Sequence, residues 1–423
     1  MTIPAERPAV TGALARLAAM PQVARALSWI EKDHDRCIGE QIELTRLEAP
    51  TFHEQERARA LEQKFREVGL SQVHTDRGGN VIGVRRGEKN GPRVLIEAHM
   101  DTVFPLGSVK NVEERDGMLF APGVSDDTRG LAELLSLTRA LEECAVPLNG
   151  DLIFAGTTRE EGGGSMRGMA ELLDAMDGQI DASISMDSGC MANVIYEATG
   201  IRTVEVTFHG VGGHAFVAFG QVAQPLHAAA RAAAKIAALK VPQDPRTTFC
   251  VSNFHAGNEA AMHAIPPTAT IIVNYRSNDA ATLEALDKQV FAAIQEACDE
   301  ETARWGKDKI TWSRQTRCDV PAGTQDVRGP MVEGLCGVIS HLGMQPNILR
   351  GGATNCNIAI AKGIPAVCMS TCPPVDGAAV NTMDHTLAEC FPTAGAYKGV
   401  QAALMMALLC TGAGETASIL ANP

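Results

Sequence analysis

Two hydrophobic rhythms alternate along this chain. Leu44 and Leu47, then Leu61 and Phe65, recur at spacings of three and four. This predicts amphipathic helices from about Leu14 to Lys64, with a break around Glu48-Ala-Pro-Thr-Phe52. Gly69 predicts a helix end. Val73-His-Thr and the run from Asn80 to Arg85 predict two strands joined by a turn at Gly78-Gly79. Three continuous apolar runs follow, at Val94-Leu-Ile-Glu-Ala-His99, Asp151-Leu-Ile-Phe-Ala-Gly-Thr-Thr158 and Ala182-Ser-Ile-Ser-Met186. Each has the length and flanks of a buried strand. A helix from about Leu131 to Leu141 lies between the first two. Strands alternating with helices in this way predict an α/β class.

The middle of the chain changes character. Thr203–His209 alternates as a half-buried strand does, Pro225–Leu239 is an alanine-rich helix, and Thr247–Phe254 and Ala269–Arg276 are strands. A helix from Ala281 to Cys298 and a strand from Ile310 to Arg317 complete a β-α-β-β-α-β unit, the ferredoxin-like arrangement. This predicts a separate α+β domain at residues 201–318, inserted into a discontinuous domain formed by residues 1–200 and 319–423. The returning chain predicts a helix near Met331–Leu342, a turn at Gly351-Gly352, a helix near Asn357–Ala361, a strand at Pro365–Ser370 and a last helix from about Thr386 to Leu409.

Composition narrows the classes. A chain of 423 residues with 45% apolar content can bury a sizeable core. The net charge of −13, with no cluster of Lys and Arg, argues against a nucleic-acid partner. No apolar run approaches a membrane span. Met1–Leu27 is interrupted by Pro4, Arg7, Arg16, Pro21 and Arg25, so it does not read as a secretory leader. The twelve cysteines are scattered without a Cys-x-x-Cys pair, which fits free thiols in a reducing compartment. A cytoplasmic location is expected.

The chemistry gathers where the apolar runs end. The first closes on His99 and Asp101, the second on Glu160-Glu161 and a glycine run, and the third on Asp187. Asp126 and Asp127 precede the helix that begins near Leu131. Each stretch has a plain alternative: His99-x-Asp101 could be a polar strand end, and Asp126-Asp127 could simply cap the helix. Together they change the picture, because α/β sheets bind ligands beyond the carboxyl ends of their strands. Imidazoles and carboxylates are suitable zinc ligands, and a carboxylate beside a ligating imidazole fixes its tautomer. His53, His74, His209, His227, His255 and His341 read as structural or surface histidines.

In this order and at these separations, the motifs resemble the di-zinc peptidase family that contains peptidase T, glutamate carboxypeptidase, succinyl-diaminopimelate desuccinylase, acetylornithine deacetylase and the aminoacylases. The resemblance spans nearly the whole chain. It implies a catalytic domain with a mixed, mostly parallel sheet flanked by helices, plus the inserted domain as a lid and dimerisation unit. His99-Met-Asp101 matches the family's His-x-Asp, which makes His99 a metal ligand and Asp101 its orienting partner. Asp126-Asp127 matches the stretch whose first acid bridges two zinc ions and whose peptide bond is cis. Glu160-Glu161 matches a general base followed by a ligand, Asp187 a further ligand, and His385-Thr-x-x-Glu389 the last ligand. One zinc would take His99 and Asp187, the other Glu161 and His385, with Asp126 shared. Cobalt or manganese would suit the same donors.

The resemblance also implies substrate contacts. His209-Gly-Val-Gly-Gly-His214 is similar to a stretch whose last histidine stabilises an oxyanion in the partner subunit, which implies a homodimer. Tyr275-Arg276-Ser277 is similar to a strand whose arginine binds the substrate carboxylate. Gly351-Gly352-Ala-Thr-Asn355 is similar to a Gly-Gly-Thr-Asp substrate loop. Three positions depart from the pattern: Arg159 precedes the Glu pair where an acid is common, His263 replaces an Asn, and Asn355 replaces an Asp. They bear on the substrate rather than on the chemistry. The expected activity is hydrolysis of an amide bond in a small peptide or N-acyl amino acid with a free carboxylate. Ureido or amidine hydrolysis on the same scaffold, and a metal-binding relative without turnover, are the alternatives.

Overall fold

The computed structural model describes residues 8–305 and 309–421. The first residues of the Met1–Leu27 stretch lie outside that range, and from Pro8 onward it is helical. The chain separates into two compact units, Met1–Ala198 with Thr324–Pro423, and Thr199–Gly323.

The first unit is built on an eight-stranded sheet. Its strand order is Ser71–Thr75, Val81–Arg85, Leu152–Thr157, Val94–His99, Ala182–Cys190, Ala366–Cys372, Asn193–Ile195, Asn347–Leu349. The four strands from Leu152–Thr157 to Ala366–Cys372 run parallel to one another. They are largely buried, as expected of parallel strands covered by helices on both faces. After Val94–His99 the chain moves to the strand on one side of it, and then to Ala182–Cys190 on the other. Val94–His99 is therefore the switch point at which α/β sheets open a crevice.

Helices Pro21–Lys32, His34–Arg46, Gln55–Glu67, Thr128–Glu143, Pro330–His341 and Tyr397–Thr411 contribute to one continuous core. Three of this sheet's eight strands and the helix Thr128–Glu143 carry most of the positions that matter below. This helix is buried along almost its whole length. It starts at Asp127, whose carboxylate accepts the Gly130 N–H at 3.1 Å. A Cβ on Gly130 would meet that carboxylate at 2.5 Å and Ala98 Cβ at 2.9 Å. Only glycine lets the helix start approach the strand ending at His99 so closely.

The second unit is an antiparallel sheet ordered Thr247–Ala256, Thr268–Ser277, Gly200–His209, Thr311–Val320. Helices Pro225–Ala237 and Ala280–Trp305 cover one face, against Val204, Val206, Phe208, Ile271, Val273 and Tyr275. In chain order the spatial sequence is 2-3-1-4, the ferredoxin-like topology.

The expected final helix from Thr386 needs correction. The helix begins only at Tyr397, and Cys390–Pro392 is a strand paired with Met118–Phe120. Pro392 and Gly395 punctuate the sequence there, but the partner strand lies some 270 residues earlier and local periodicity does not reveal it. The N-terminal helical stretch carries additional breaks at Met20 and Asp33. No helix among the described residues is long and apolar enough to cross a membrane. No cysteine is disulfide-bonded, and most are buried.

Phe154 lies at the centre of the first sheet, fully buried and edge-on to Phe65 at 6.5 Å between ring centres. Phe154→Ala should lower the unfolding free energy by about 3–5 kcal/mol, read by urea denaturation.

Candidate metal centre

Four carboxylates and two imidazoles converge in the first unit. His99 ends the strand Val94–His99, and Glu160 and Glu161 follow Leu152–Thr157. Asp187 lies in the third parallel strand, and Asp126 precedes the helix Thr128–Glu143. His385 comes from the loop before the strand Cys390–Pro392. The backbone there is left-handed, with φ of 63° at His385, and Arg159, next to Glu160, has φ of 57°. Such conformations are unfavourable for these residue types and tend to cluster at functional positions.

Asp126 organises the group. Its Oδ1 faces His99 Nε2 at 2.9 Å, and its Oδ2 faces His385 Nε2 at 3.1 Å. His385 Nε2 also lies 2.9 Å from Glu161 Oε1, and His99 Nε2 lies 4.0 Å from Asp187 Oδ1. Two triads therefore share Asp126: His99–Asp126–Asp187 and Asp126–Glu161–His385, each with donor atoms within 4.8 Å of one another. Glu160 forms a third such group with His99 and Glu161. The Asp126–Asp127 peptide bond is cis.

Charge is crowded here. Burial and then the neighbouring Glu161 push the Glu160 carboxyl well above its usual range. Burial and then Asp126 do the same to Asp187 and, less strongly, to Glu161. Burial also raises Asp126, but hydrogen bonds from His385 and His99 outweigh it and hold that carboxyl well below the usual range. Asp126 and Glu161 push the His385 imidazole up to about 11. No Lys or Arg among the described residues pairs with any of these four acids. Buried anions need compensation by cations, and imidazole nitrogens with carboxylate oxygens are donors that suit borderline divalent metals. The residues present therefore fit a two-metal site.

A surrounding layer holds the donors in place. The sequence assigned Asp101 to the His99 ring, but the closest contact on His99 Nδ1 is the Asp101 main-chain carbonyl, at 2.9 Å. The Asp101 carboxylate stands 3.7 Å away. It accepts instead the N–H groups of Glu160 and Glu161, at 2.9 and 3.0 Å, and the Thr51 hydroxyl at 2.9 Å. Asp101 thus positions the Glu pair as much as the ring.

Three further residues take supporting roles that the sequence reading did not assign. Glu389 accepts the N–H groups of Gly123, Ser125 and Asp126 at 2.8–2.9 Å and so fixes the Asp126 loop. Burial and then Asp126 push its carboxyl up to about 8. Asp127 accepts the His99 N–H at 3.0 Å. Arg57, wholly buried, donates to the carbonyls of Met100 and Leu47 at 2.6 and 2.9 Å. Glu389 and Asp127 do have a signal, since each stands beside a candidate ligand motif. Arg57 has none: nothing local ties it to the strand it supports.

The remaining candidates divide between the units. Gly352 and Asn355 belong to the first. Asn355 is only 2% exposed, and its amide is engaged internally, by Glu97 and Thr157. His214, His263 and Arg276 belong to the second unit and are exposed. His214 pairs with Ala264 in a two-stranded ribbon, and Ala215 N–H donates to the His263 carbonyl at 2.8 Å, so the two histidines are neighbours. Arg276 lies on the sheet strand Thr268–Ser277, with its Nε 3.3 Å from Asn274 Oδ1.

The model of peptidase family M20/M25/M40 matches residues 95–408, which includes every residue of both triads. The chain belongs to this family. It is a hydrolase of the M20/M25/M40 type. Succinyl-diaminopimelate desuccinylase of Burkholderia lata is 29% identical over 247 residues, 53% of this chain and 64% of that enzyme. The match thus spans just under two thirds of the desuccinylase. The fold is similar to that of aminopeptidase PepT from Bacillus cereus, with a TM-score of 0.71, 22% identity and coverage of 88% of this chain and 97% of that one. It is also similar to the YxeP protein of Bacillus subtilis, described as a dinuclear metal-binding peptidase of the M20 family: TM-score 0.65, 15% identity, coverage 91% and 100%.

Two outcomes follow for this M20/M25/M40 chain. Glu389→Ala, which frees three N–H groups of the Asp126 loop, should weaken divalent-metal affinity about 10–100-fold by isothermal titration calorimetry. Metal uptake should also release protons and tighten as pH rises, because His385 carries a proton that a cation must displace. Titrations in two buffers of different ionisation enthalpy measure that release.

Proposed function

We propose that this chain is a metal-dependent hydrolase that cleaves an amide bond in a small peptide or N-acyl amino acid with a free carboxylate. The observation that carries the proposal is the split of Asp126, one oxygen toward His99 and the other toward His385. A carboxylate so placed is suited to bridge two cations. His99 and Asp187 would hold one zinc, and Glu161 and His385 the other, with cobalt or manganese also compatible. Two cations there would supply Lewis acidity toward the amide carbonyl and lower the pKa of an attacking water.

The chain's own groups do the rest. Glu160 accepts the water proton on its carboxylate and passes it to the departing amine. Burial and then Glu161 push its carboxyl above the usual range, so it holds a proton more readily than an exposed carboxylate. Asp101 holds the Glu160 backbone and so keeps the carboxylate aimed. His214 as oxyanion donor, Arg276 as carboxylate anchor, and His263 and Gly352 as substrate contacts complete the assignment, with Asn355 closing the substrate loop from the interior. The carboxylate preference is supported by the chemistry of Arg276, whose planar guanidinium suits bidentate binding.

A homodimer is part of the proposal. Val211, Phe216, Val217, Phe219 and Met262, which flank the His214–Ala264 ribbon in sequence, are 63–88% exposed. So many large apolar side chains around one short ribbon fit a surface that is covered in the assembled protein.

The decisive experiment is hydrolysis of a mixed panel by metal-loaded protein, followed by mass spectrometry. The panel holds free-amine di- and tripeptides, N-acyl amino acids including a succinylated diamine acid, and ureido compounds. Amide cleavage is expected; release of ammonia alone would replace this reading with ureido hydrolysis, and no turnover with both metals bound would leave a binding protein. Glu160→Ala should lower kcat by roughly 10²–10⁴-fold while metal stoichiometry stays at two. Arg276→Ala should raise KM for carboxylate substrates by about tenfold or more, with little change for the amidated analogues.

A further inference from the structure

The substrate loop proposed above, Gly351–Asn355, is pinned at both ends. At one end Gly352 bridges to Ala198, and a Cβ on Gly352 would meet Ile195 Cγ2 at 2.6 Å, so only glycine fits against that strand. At the other end the Asn355 side-chain amide donates to Glu97 Oε2 at 2.9 Å and lies 2.8 Å from Thr157 Oγ1. Thr157 in turn donates to Glu97 Oε2 at 2.9 Å. These three residues come from separate places, a loop and two adjacent parallel strands. Glu97 and Asn355 are 1% and 2% exposed.

Glu97 is an unusual residue for its position. It lies in the middle of a fully buried strand and faces the same side of the sheet as His99, two residues on. No Lys or Arg among the described residues pairs with it; its Oε1 makes no well-formed hydrogen bond, although Ser185 faces it in register on the neighbouring strand. A buried carboxylate with so little compensation is costly unless donors are supplied. The donors here are the Thr157 hydroxyl and the Asn355 amide. An aspartate at 355 would instead set a second carboxyl oxygen against Glu97 where the Asn355 amide now donates.

From this we infer that Glu97 is a positioning residue for the substrate loop: it selects Asn at 355 and clamps the loop's end to the floor of the metal-site strands. The inference rests on the functional reading only for the loop's contact with substrate; the clamp itself is a property of the first unit. Asn355 acts by its bond to Glu97, and the side chain directed at the interior leaves the main chain of Gly351–Thr354 as the surface the loop offers. Thr354 is buried as well, with its hydroxyl 3.0 Å from Cys356 Sγ. Substrate discrimination by this loop would therefore come from backbone groups held at fixed height, rather than from an acidic side chain.

A double-mutant cycle tests the clamp. Asn355→Asp should raise KM by roughly tenfold or more with metal content unchanged, and should lower the thermal midpoint. Glu97→Gln combined with Asn355→Asp restores a donor–acceptor pair with its sense reversed, and KM should return to within about threefold of the parent. Glu97→Ala, which frees the loop from the other side, gives a second route to the raised KM if Asn355→Asp does not fold. An unchanged KM in the folded single variants, or no recovery in the double variant, overturns the clamp. If the parent enzyme hydrolyses nothing in the panel, the functional reading fails instead. The same cycle read in thermal midpoints still decides the clamp: coupling between positions 97 and 355 sustains it, and additivity overturns it.

Discussion

Three buried carboxylates, Asp126, Glu160 and Glu161, and the half-buried Asp187 share one small space with two imidazoles and, among the described residues, no ammonium or guanidinium partner. Bringing them together opposes folding, since like charges in a poorly hydrated place repel strongly. Everything around them can be understood as support for that arrangement. The sheet delivers three of the groups, Glu160 and Glu161 just past one parallel strand and Asp187 within another, on either side of Val94–His99. The helix that starts at Asp127 brings the fourth, and its close approach depends on Gly130. Divalent cations would turn the repulsion into cohesion, so metal binding and local stability are expected to be linked.

The supporting layer is itself acidic, and it works through main-chain N–H groups. Asp101 holds the Glu160–Glu161 turn, Glu389 the Asp126 loop, and Asp127 the N–H of His99. Each acid fixes backbone at the ligands it supports. This is an effective way to place a ligand, because a side chain on a fixed backbone loses little further freedom on binding metal. It also explains why the neighbourhood tolerates so many acids: several are already solvated by the protein's own amides. Glu97 is the exception, an interior acid held by a hydroxyl and a carboxamide.

The two units differ in what they carry. The first carries the metal donors and a core that runs from the N-terminal helices to the last helix. The second is a small α+β unit with its own core and a histidine-bearing ribbon among exposed apolar side chains. Family membership and similarity of fold agree with a mixed α/β unit that has a mostly parallel sheet and a separate unit with an antiparallel one.

The sequence alone determined the α/β class, the β-α-β-β-α-β order of the second unit and the run of candidate ligands, because each depends on short-range patterns. Apolar runs of strand length are visible locally, and so are chemically distinctive residues at their ends. Tertiary structure decided what no local pattern encodes. The pairing of Cys390–Pro392 with Met118–Phe120 overrode a helical reading, since its strand partner is remote in sequence. The use of the Asp101 carboxylate on the Glu160–Glu161 backbone, of Arg57 on the Met100 carbonyl, and of Asn355 on Glu97 likewise joins residues 43 to 258 positions apart. Side-chain identity announces that such a group needs a partner when buried; only the packed chain determines which one it finds.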